Sequence, residues 1–349
     1  MNKGKKLLIC LSFVFLATGC TSGGKKGGGG GGGSKSKVDP NNWEKYEERY
    51  TNKTDCFGQP VDDYQLRTSI GSTLIFNIHR YMIDQHKTYL KYGQINANLF
   101  NKCDSLNNSG KKETFYTAKV NGGTSREHVW CCSRSSDLWY RDSVYKEHQM
   151  DDNGHNGGAE NYWGGGSDIY NLRPTTGSVN TARSSAKFYK FSAEELKQPD
   201  VKQVGDGGTY KITIDREANP KYVEVADYFK GDVARIIMYM WIHYTSIGSY
   251  DAYYPKDSTK FSNRQVVYTL DEAVEPSSTH TPIMCGTLQL TEIMGFETDE
   301  QCIAALKEWN ELDPPSELEK QRNDVVESEI QGLRNPFVDY PQLVNRCLV

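Results

Sequence analysis

The segment Arg126-Glu127-His128-Val129-Trp130 and, further along, Asp168-Ile169-Tyr170-Asn171-Leu172-Arg173-Pro174 with Gly177-Ser178-Val179-Asn180 supply a histidine, a carboxylate and an amide oxygen. Together they are a general base, an acidic metal ligand and a second oxygen ligand, the parts needed for metal-assisted hydrolysis of a phosphodiester. A phosphodiester anion repels hydroxide, so such an enzyme must generate its nucleophile near neutral pH and neutralise charge on the phosphate and leaving oxygen. As a neutral imidazole His128 can deprotonate a water in line with phosphorus, help worth ~10²–10⁴ in rate. Glu127 offers a carboxylate oxygen and Asn180 an amide oxygen. Two such ligands suit Mg²⁺, which keeps much of its hydration shell; Mn²⁺ and Ca²⁺ stay open as alternatives.

The elements that hold these residues set conditions. Neighbours on a regular strand point to opposite faces, so Glu127 and His128 share a site only where the strand ends or bulges. An irregular backbone is expected at this pair. Ser178 is placed to cap a helix whose first turn carries Asn180. Around this segment the apolar spacing is mostly helical: Leu66, Ile70, Leu74, Ile75, Ile78, Tyr81 and Met82 mark one face of a helix within Asp63–Tyr92, broken near Gly71. Asp232 to Tyr244 is apolar nearly all round and predicts a central core helix, in which His243 is a hydrogen-bonded core residue. Leu288 to Trp309 predicts a helix or a pair, and Ser316 with Glu319 three places on has the capping-box pattern. Strand signals are confined to Thr124–Trp130, Tyr210–Ile214 and Gln265–Leu270. The expected class is α+β, a helix-rich single domain with a small sheet.

Ahead of that domain, residues 1–20 read as an export signal: Lys3, Lys5 and Lys6, the apolar run Leu7 to Ala17, then Thr18-Gly19-Cys20. The small residues before Cys20 resemble a bacterial lipobox, with its usual leucine displaced to Leu16, which implies lipidation of Cys20 and a membrane surface as partner. Residues 21–39, rich in Gly, Ser and Lys, predict a flexible tether. The body is then 40–349, with no second linker to divide it. Without the three signal lysines, 38 basic residues face 45 acidic ones, a balance of −7. That excludes a globally basic nucleic-acid binder, so phosphate contacts must come from a local cleft, for which Arg173, Arg183, Lys187 and Lys190 are candidates. Cys56, Cys103, Cys131, Cys132, Cys285, Cys302 and Cys347 could form up to three disulfides outside the cytoplasm. No Cys-x-x-Cys or His-x-x-x-His spacing marks a zinc site. His148 and His155 fall in a polar insert, Arg141 to Gly166, and read as solvent-exposed; Asp151-Asp152-Asn153-Gly154 lacks EF-hand spacing and reads as a loop.

Glu-His-Val-Trp, Asp-Ile-Tyr-Asn-Leu-Arg-Pro and Gly-Ser-Val-Asn-Thr-Ala-Arg-Ser resemble the bacterial endonuclease I family. The likeness continues through Gly231-Asp232-Val233-Ala234-Arg235, Trp309, Asp313-Pro314, Arg322-Asn323 and Gln331 to Asp339, so it covers most of the body. It implies a ββα-metal, or His-Me, finger core with His128 as general base and Glu127 and Asn180 holding a catalytic Mg²⁺. It also implies cleavage of DNA, and often RNA, with little sequence preference and 5′-phosphate products. Such enzymes steady the scissile phosphate with an arginine; Arg183, one helical turn after Asn180, is the physical choice, with Arg173 and Arg141 as rivals. Asn171 is expected to clamp the finger's loop by hydrogen bonds. Cys131-Cys132 replaces the proline that commonly follows the Trp, so the turn leaving the first strand is held differently. Two other readings stay open: a catalytically silent surface protein binding nucleic acid or another ligand, and a phosphodiesterase of small nucleotides. The complete Glu127, His128 and Asn180 set favours the nuclease.

Overall fold

In the computed structural model the described residues are 50, 53–54, 60–61, 70–88, 90, 92–105, 109, 111–123, 125–134, 165–244 and 288–348. They belong to the compact unit Lys35–Val349. The expected signal and tether, the histidines of the polar insert, Arg141 and the strand at Gln265–Leu270 all lie outside them.

In chain order the elements are β1 (Lys53–Thr54), β2 (Pro60–Val61), α1 (Gly71–Gln85), α2 (Ala97–Cys103), β3 (Ser125–His128), β4 (Leu172–Thr175), α3 (Gly177–Arg183), β5 (Lys187–Phe188) and β6 (Val201–Val204). There follow β7 (Ile212–Asp215), β8 (Tyr222–Glu224), α4 (Asp227–Tyr244), α5 (Leu290–Ile293), α6 (Asp299–Leu312), α7 (Glu317–Glu329), α8 (Pro336–Asp339) and α9 (Leu343–Cys347). β1 pairs with β2 and β3 with β4, both antiparallel. The third sheet has the order β5-β8-β7-β6, with β5 parallel to β8 and the rest antiparallel. This is the expected helix-rich α+β class, and β3, β4 and α3 form its ββα unit.

Local sequence explains most boundaries. α1 buries Leu74, Ile78, Tyr81 and Met82, a stripe at helical spacing. The Leu288–Trp309 region is a pair of helices, the second opened by a complete capping box between Thr298 and Gln301. At α7 only half of the expected box forms. Ser316 accepts from the Glu319 N–H at 3.2 Å, whereas the Glu319 carboxylate turns inward to Arg235. Thr176, not Ser178, occupies the N-cap of α3, and its hydroxyl donates to Asp206 rather than closing the helix end.

α4 is buried along nearly its whole length and packs along α6. Its buried arginine is fully paired. Arg235 donates to both Glu319 oxygens at 2.8 and 2.6 Å and to the Asp313 carbonyl at 2.7 Å. Gly231 allows the approach of that same Asp313 carbonyl: an added Cβ would stand 1.8 Å from its oxygen. Gly231→Ala would gain about 1 kcal/mol of helix propensity. It would meet a backbone clash that typically costs about 1–3 kcal/mol and sometimes more. We expect net destabilisation, read as a lower urea midpoint at unchanged slope; an unchanged or higher midpoint would show that α4 can shift away from Asp313.

The five described body cysteines, Cys103, Cys131, Cys132, Cys302 and Cys347, are free thiols, so the expected disulfides are absent among the described residues. Cys103, Cys302 and Cys347 are instead part of the apolar core, where burial pushes their thiols up and keeps them protonated.

Candidate active site

β3 and β4 pair in unbroken register, with Glu127 opposite Arg173 and His128 opposite Leu172. The irregular backbone expected at the Glu127–His128 pair is therefore not a bulge; the strand stays regular and stops at His128. The opposed side chains share a site in another way. β3 has one paired edge, and alternate carbonyls face its other edge. α3 lies along that edge: Asn180 Nδ2 donates to the Arg126 carbonyl at 3.1 Å, and Arg183 Nη1 to the His128 carbonyl at 2.9 Å. Side chains three apart on a helix lie on one face, so they match two carbonyls two residues apart on a strand. Both faces of β3 meet in a cleft of 390 Å³ lined by Tyr92, Ser125, Arg126, Glu127, His128, Cys131, Asn180, Arg183 and Ser184.

His128 is half-buried, and its Nε2–H donates to the Gly166 carbonyl at 2.7 Å. A carbonyl only accepts, so this bond fixes the tautomer and leaves Nδ1 as the ring's proton acceptor. The Tyr92 ring stacks on the imidazole at 5.5 Å and 15°. Arg126, two residues before His128 and on the same strand face, lies over Tyr92 at 3.7 Å and donates to the Tyr92 carbonyl.

Glu127 is buried. The Tyr116 hydroxyl donates to its Oε1 at 2.8 Å, and Arg183 Nη1 lies 3.3 Å from the same atom. Oε2 is thus the oxygen left to the cleft. Burial lifts the carboxyl to about 7, against the pull of Arg183 and Tyr116. Burial also holds the Tyr116 phenol well above its ordinary value, reinforced by Glu127, so it remains a donor. Tyr116 carries a backbone φ of 72°, a conformation costing a bulky residue about 1–3 kcal/mol, and its turn aims the phenol at Glu127. Asn180 donates from Nδ2 to Ser125 Oγ at 2.7 Å as well as to the Arg126 carbonyl, which orients its amide so that Oδ1 is the atom available to a ligand. A buried carboxylate oxygen and an oriented amide oxygen on one cleft are a donor set that fits a hard divalent cation.

The arginines depart from expectation. Arg183 reaches the cleft, but its guanidinium is buried over Phe188 and donates to the carbonyls of His128, Val129 and Ser184. Burial opposes its charge, yet Glu127, Tyr116 and Cys131 together outweigh burial and raise its pKa. Arg173 lies outside the cleft, 3.8 Å from each of Asp104 and Asp232. The basic cleft expected from Arg173, Arg183, Lys187 and Lys190 does not form, because Lys187 donates to the Thr291 carbonyl and Lys190 pairs with Glu308. Asn171 is the clamp foreseen for it: its amide accepts from the Trp130 N–H at 2.6 Å and donates to the carbonyls of Trp130 and Gly165. Sequence reasoning missed Tyr92, Tyr116 and Arg126. Only Arg126 had a usable signal, its place two residues before His128 and so on the same face of a strand.

The sequence model of endonuclease I matches residues 71–271 and 278–342, which includes every residue of the cleft. The chain belongs to the endonuclease I family. It is a nuclease by that membership, and its substrate is nucleic acid. Among curated proteins it is 27% identical over 281 residues to an extracellular ribonuclease of Bacillus subtilis (strain 168), covering 78% of this chain and 73% of that one. An extracellular ribonuclease of Bacillus amyloliquefaciens is 28% identical over 281 residues, covering 78% and 72%.

Proposed function

We propose that this endonuclease I family chain is an exported, Mg²⁺-dependent endonuclease that hydrolyses RNA and DNA with little sequence preference and leaves 5′-phosphates. The observation that carries the reading is the convergence of Glu127 Oε2, Asn180 Oδ1 and the fixed tautomer of His128 on one cleft. Glu127 and Asn180 would hold the cation, which supplies charge neutralisation at the phosphate and leaving oxygen. His128 Nδ1 takes the proton of the attacking water, and the Gly166 carbonyl stabilises the imidazolium that results. Arg183 is a positioning residue in this scheme: it steadies Glu127 and the end of β3, while Arg126, held on Tyr92, is the arginine placed to meet the scissile phosphate. The relatives named extracellular ribonucleases support export and an RNA substrate. Lipidation of Cys20 and the tether at 21–39 would hold the catalytic body, 40–349, at the outer side of a membrane. No helix among the described residues is long and apolar enough to cross one.

The test is digestion of supercoiled plasmid and of single-stranded RNA by the purified protein with Mg²⁺, with EDTA, and with Asn180→Ala. We expect smearing with Mg²⁺, none with EDTA, and a shift of the Mg²⁺ requirement in Asn180→Ala of at least the about 10–100-fold that loss of even an outer metal partner costs. Cleavage undiminished by EDTA would overturn the metal role. Binding of DNA without cleavage would make the chain a silent copy of the fold.

A further inference from the structure

Behind the finger, a buried cluster joins three segments far apart in sequence: His86 at the end of α1, Asp168 before β4, and His243 in the last turn of α4. One ligand atom from each lies within 4.8 Å of the others. His86 Nδ1 and His243 Nε2 stand 2.7 Å apart, in rings tilted by 34°. Two imidazole nitrogens at that distance share one hydrogen, which an ion bound by both would replace as the rings part slightly to reach the wider spacing of two nitrogens on one tetrahedral metal. We propose that this cluster is a structural site for a borderline divalent transition metal, Zn²⁺ in chemical class, separate from the Glu127–Asn180 site.

Three features favour a metal. Two imidazoles and a carboxylate are a nitrogen-rich set that prefers zinc-like ions to Mg²⁺. His86 has its other ring nitrogen, Nε2, 3.1 Å from the Thr88 carbonyl, the outer partner that usually fixes a ligating histidine. Asp168 is oriented by Tyr239 and Tyr244, whose hydroxyls donate to Oδ2 at 2.7 Å each, and by the Tyr170 N–H and Gln331 Nε2 on Oδ1, the longest of which, from Gln331 at 3.2 Å, would yield its lone pair to an ion. The competing arrangement is a proton network. Gln331 Nε2 also lies 3.1 Å from His86 Nε2, and the tautomer that accepts there would place the proton on Nδ1, facing His243. Metal loading moves that proton to the outer nitrogen, where Thr88 receives it. Because the three ligands come from separate elements, no local spacing announces them. Asp168 is two residues from Gly166, so an ion here would brace the loop whose carbonyl orients His128.

The experiment is a Co²⁺ titration of the full chain in excess Mg²⁺, after alkylation of accessible thiols, read by visible d–d absorption. Excess Mg²⁺ occupies the oxygen site and leaves the nitrogen site to Co²⁺. We expect a band that saturates at one equivalent, persists in His128→Ala, is lost in Asp168→Asn and His243→Gln, and is displaced by Zn²⁺ with a rise in Tm. No band in the wild-type protein, or a band abolished by His128→Ala and kept by His243→Gln, overturns the proposal in favour of the proton network. If the buried-site variants fail to fold, the wild-type stoichiometry together with His128→Ala decides.

Discussion

His128→Ala should lower nuclease turnover by ~10²–10⁴ while leaving the thermal midpoint within a degree or two of wild type. The imidazole is half-buried at the end of β3, where its Nε2–H donates to the Gly166 carbonyl. Loss of that neutral hydrogen bond costs about 0.5–1.5 kcal/mol net, and a stacking contact with Tyr92 goes with it. The chemical loss is larger because Glu127, whose carboxyl burial lifts to about 7, is committed to the cation in the proposed scheme and cannot replace the lost base. Its Oε1 is also engaged by Tyr116 and Arg183, and a guanidinium offers no acceptor. Single-turnover cleavage of a short labelled duplex and of RNA is the measurement. Activity within a few-fold of wild type would remove His128 from the chemistry; partial restoration of the variant by added imidazole would place the loss at the base.

How this site shows in the sequence depends on how local each constraint is. Glu127, His128 and Asn180 are legible because rare residue types fall in short segments whose element types are also plain: β-propensity before Trp130, a helix start after Thr176. Tyr116 is not legible, since it comes from a tight turn with positive φ that has no periodicity, and its link to Glu127 is purely spatial. Charge pattern misled at Arg173 and Lys190, because a run of basic residues says nothing of burial, and the carboxylates that neutralise them, Asp104, Asp232 and Glu308, lie far along the chain. The objection that adjacent strand residues face apart was sound. The answer, a helix laid along the unpaired edge of β3, is a tertiary fact with no counterpart in strand periodicity. α4 was readable for the opposite reason: a helix apolar all round has nowhere to go but the core.

Glu127→Ala should fail in two separable ways, and its comparison with Glu127→Gln distinguishes them. The carboxylate is the proposed ligand and also the partner of Arg183, both groups being almost fully buried 3.3 Å apart. Removing one member of a buried pair leaves the other uncompensated, which typically costs about 3–5 kcal/mol. That is a large part of the roughly 5–15 kcal/mol that keeps a domain folded. Here the penalty is moderated, because Arg183 still donates to three backbone carbonyls. Glu127→Ala is therefore expected at the lower end of that range, with loss of cleavage at any Mg²⁺ concentration. Glu127→Gln keeps the shape and an oxygen that can accept from Tyr116, so it should recover most of the stability. It loses the charge that binds the cation, so cleavage should remain at the background level. Chemical denaturation and cleavage assays on the two variants are the measurements. If Glu127→Gln cleaved like wild type, the carboxylate would be a structural partner of Arg183 alone. If Glu127→Ala were as stable as wild type, the pair would not hold the end of β3. Recovery of stability without activity in Glu127→Gln is the outcome that assigns this one side chain both duties, anchoring α3 to β3 through Arg183 and presenting Oε2 to the metal.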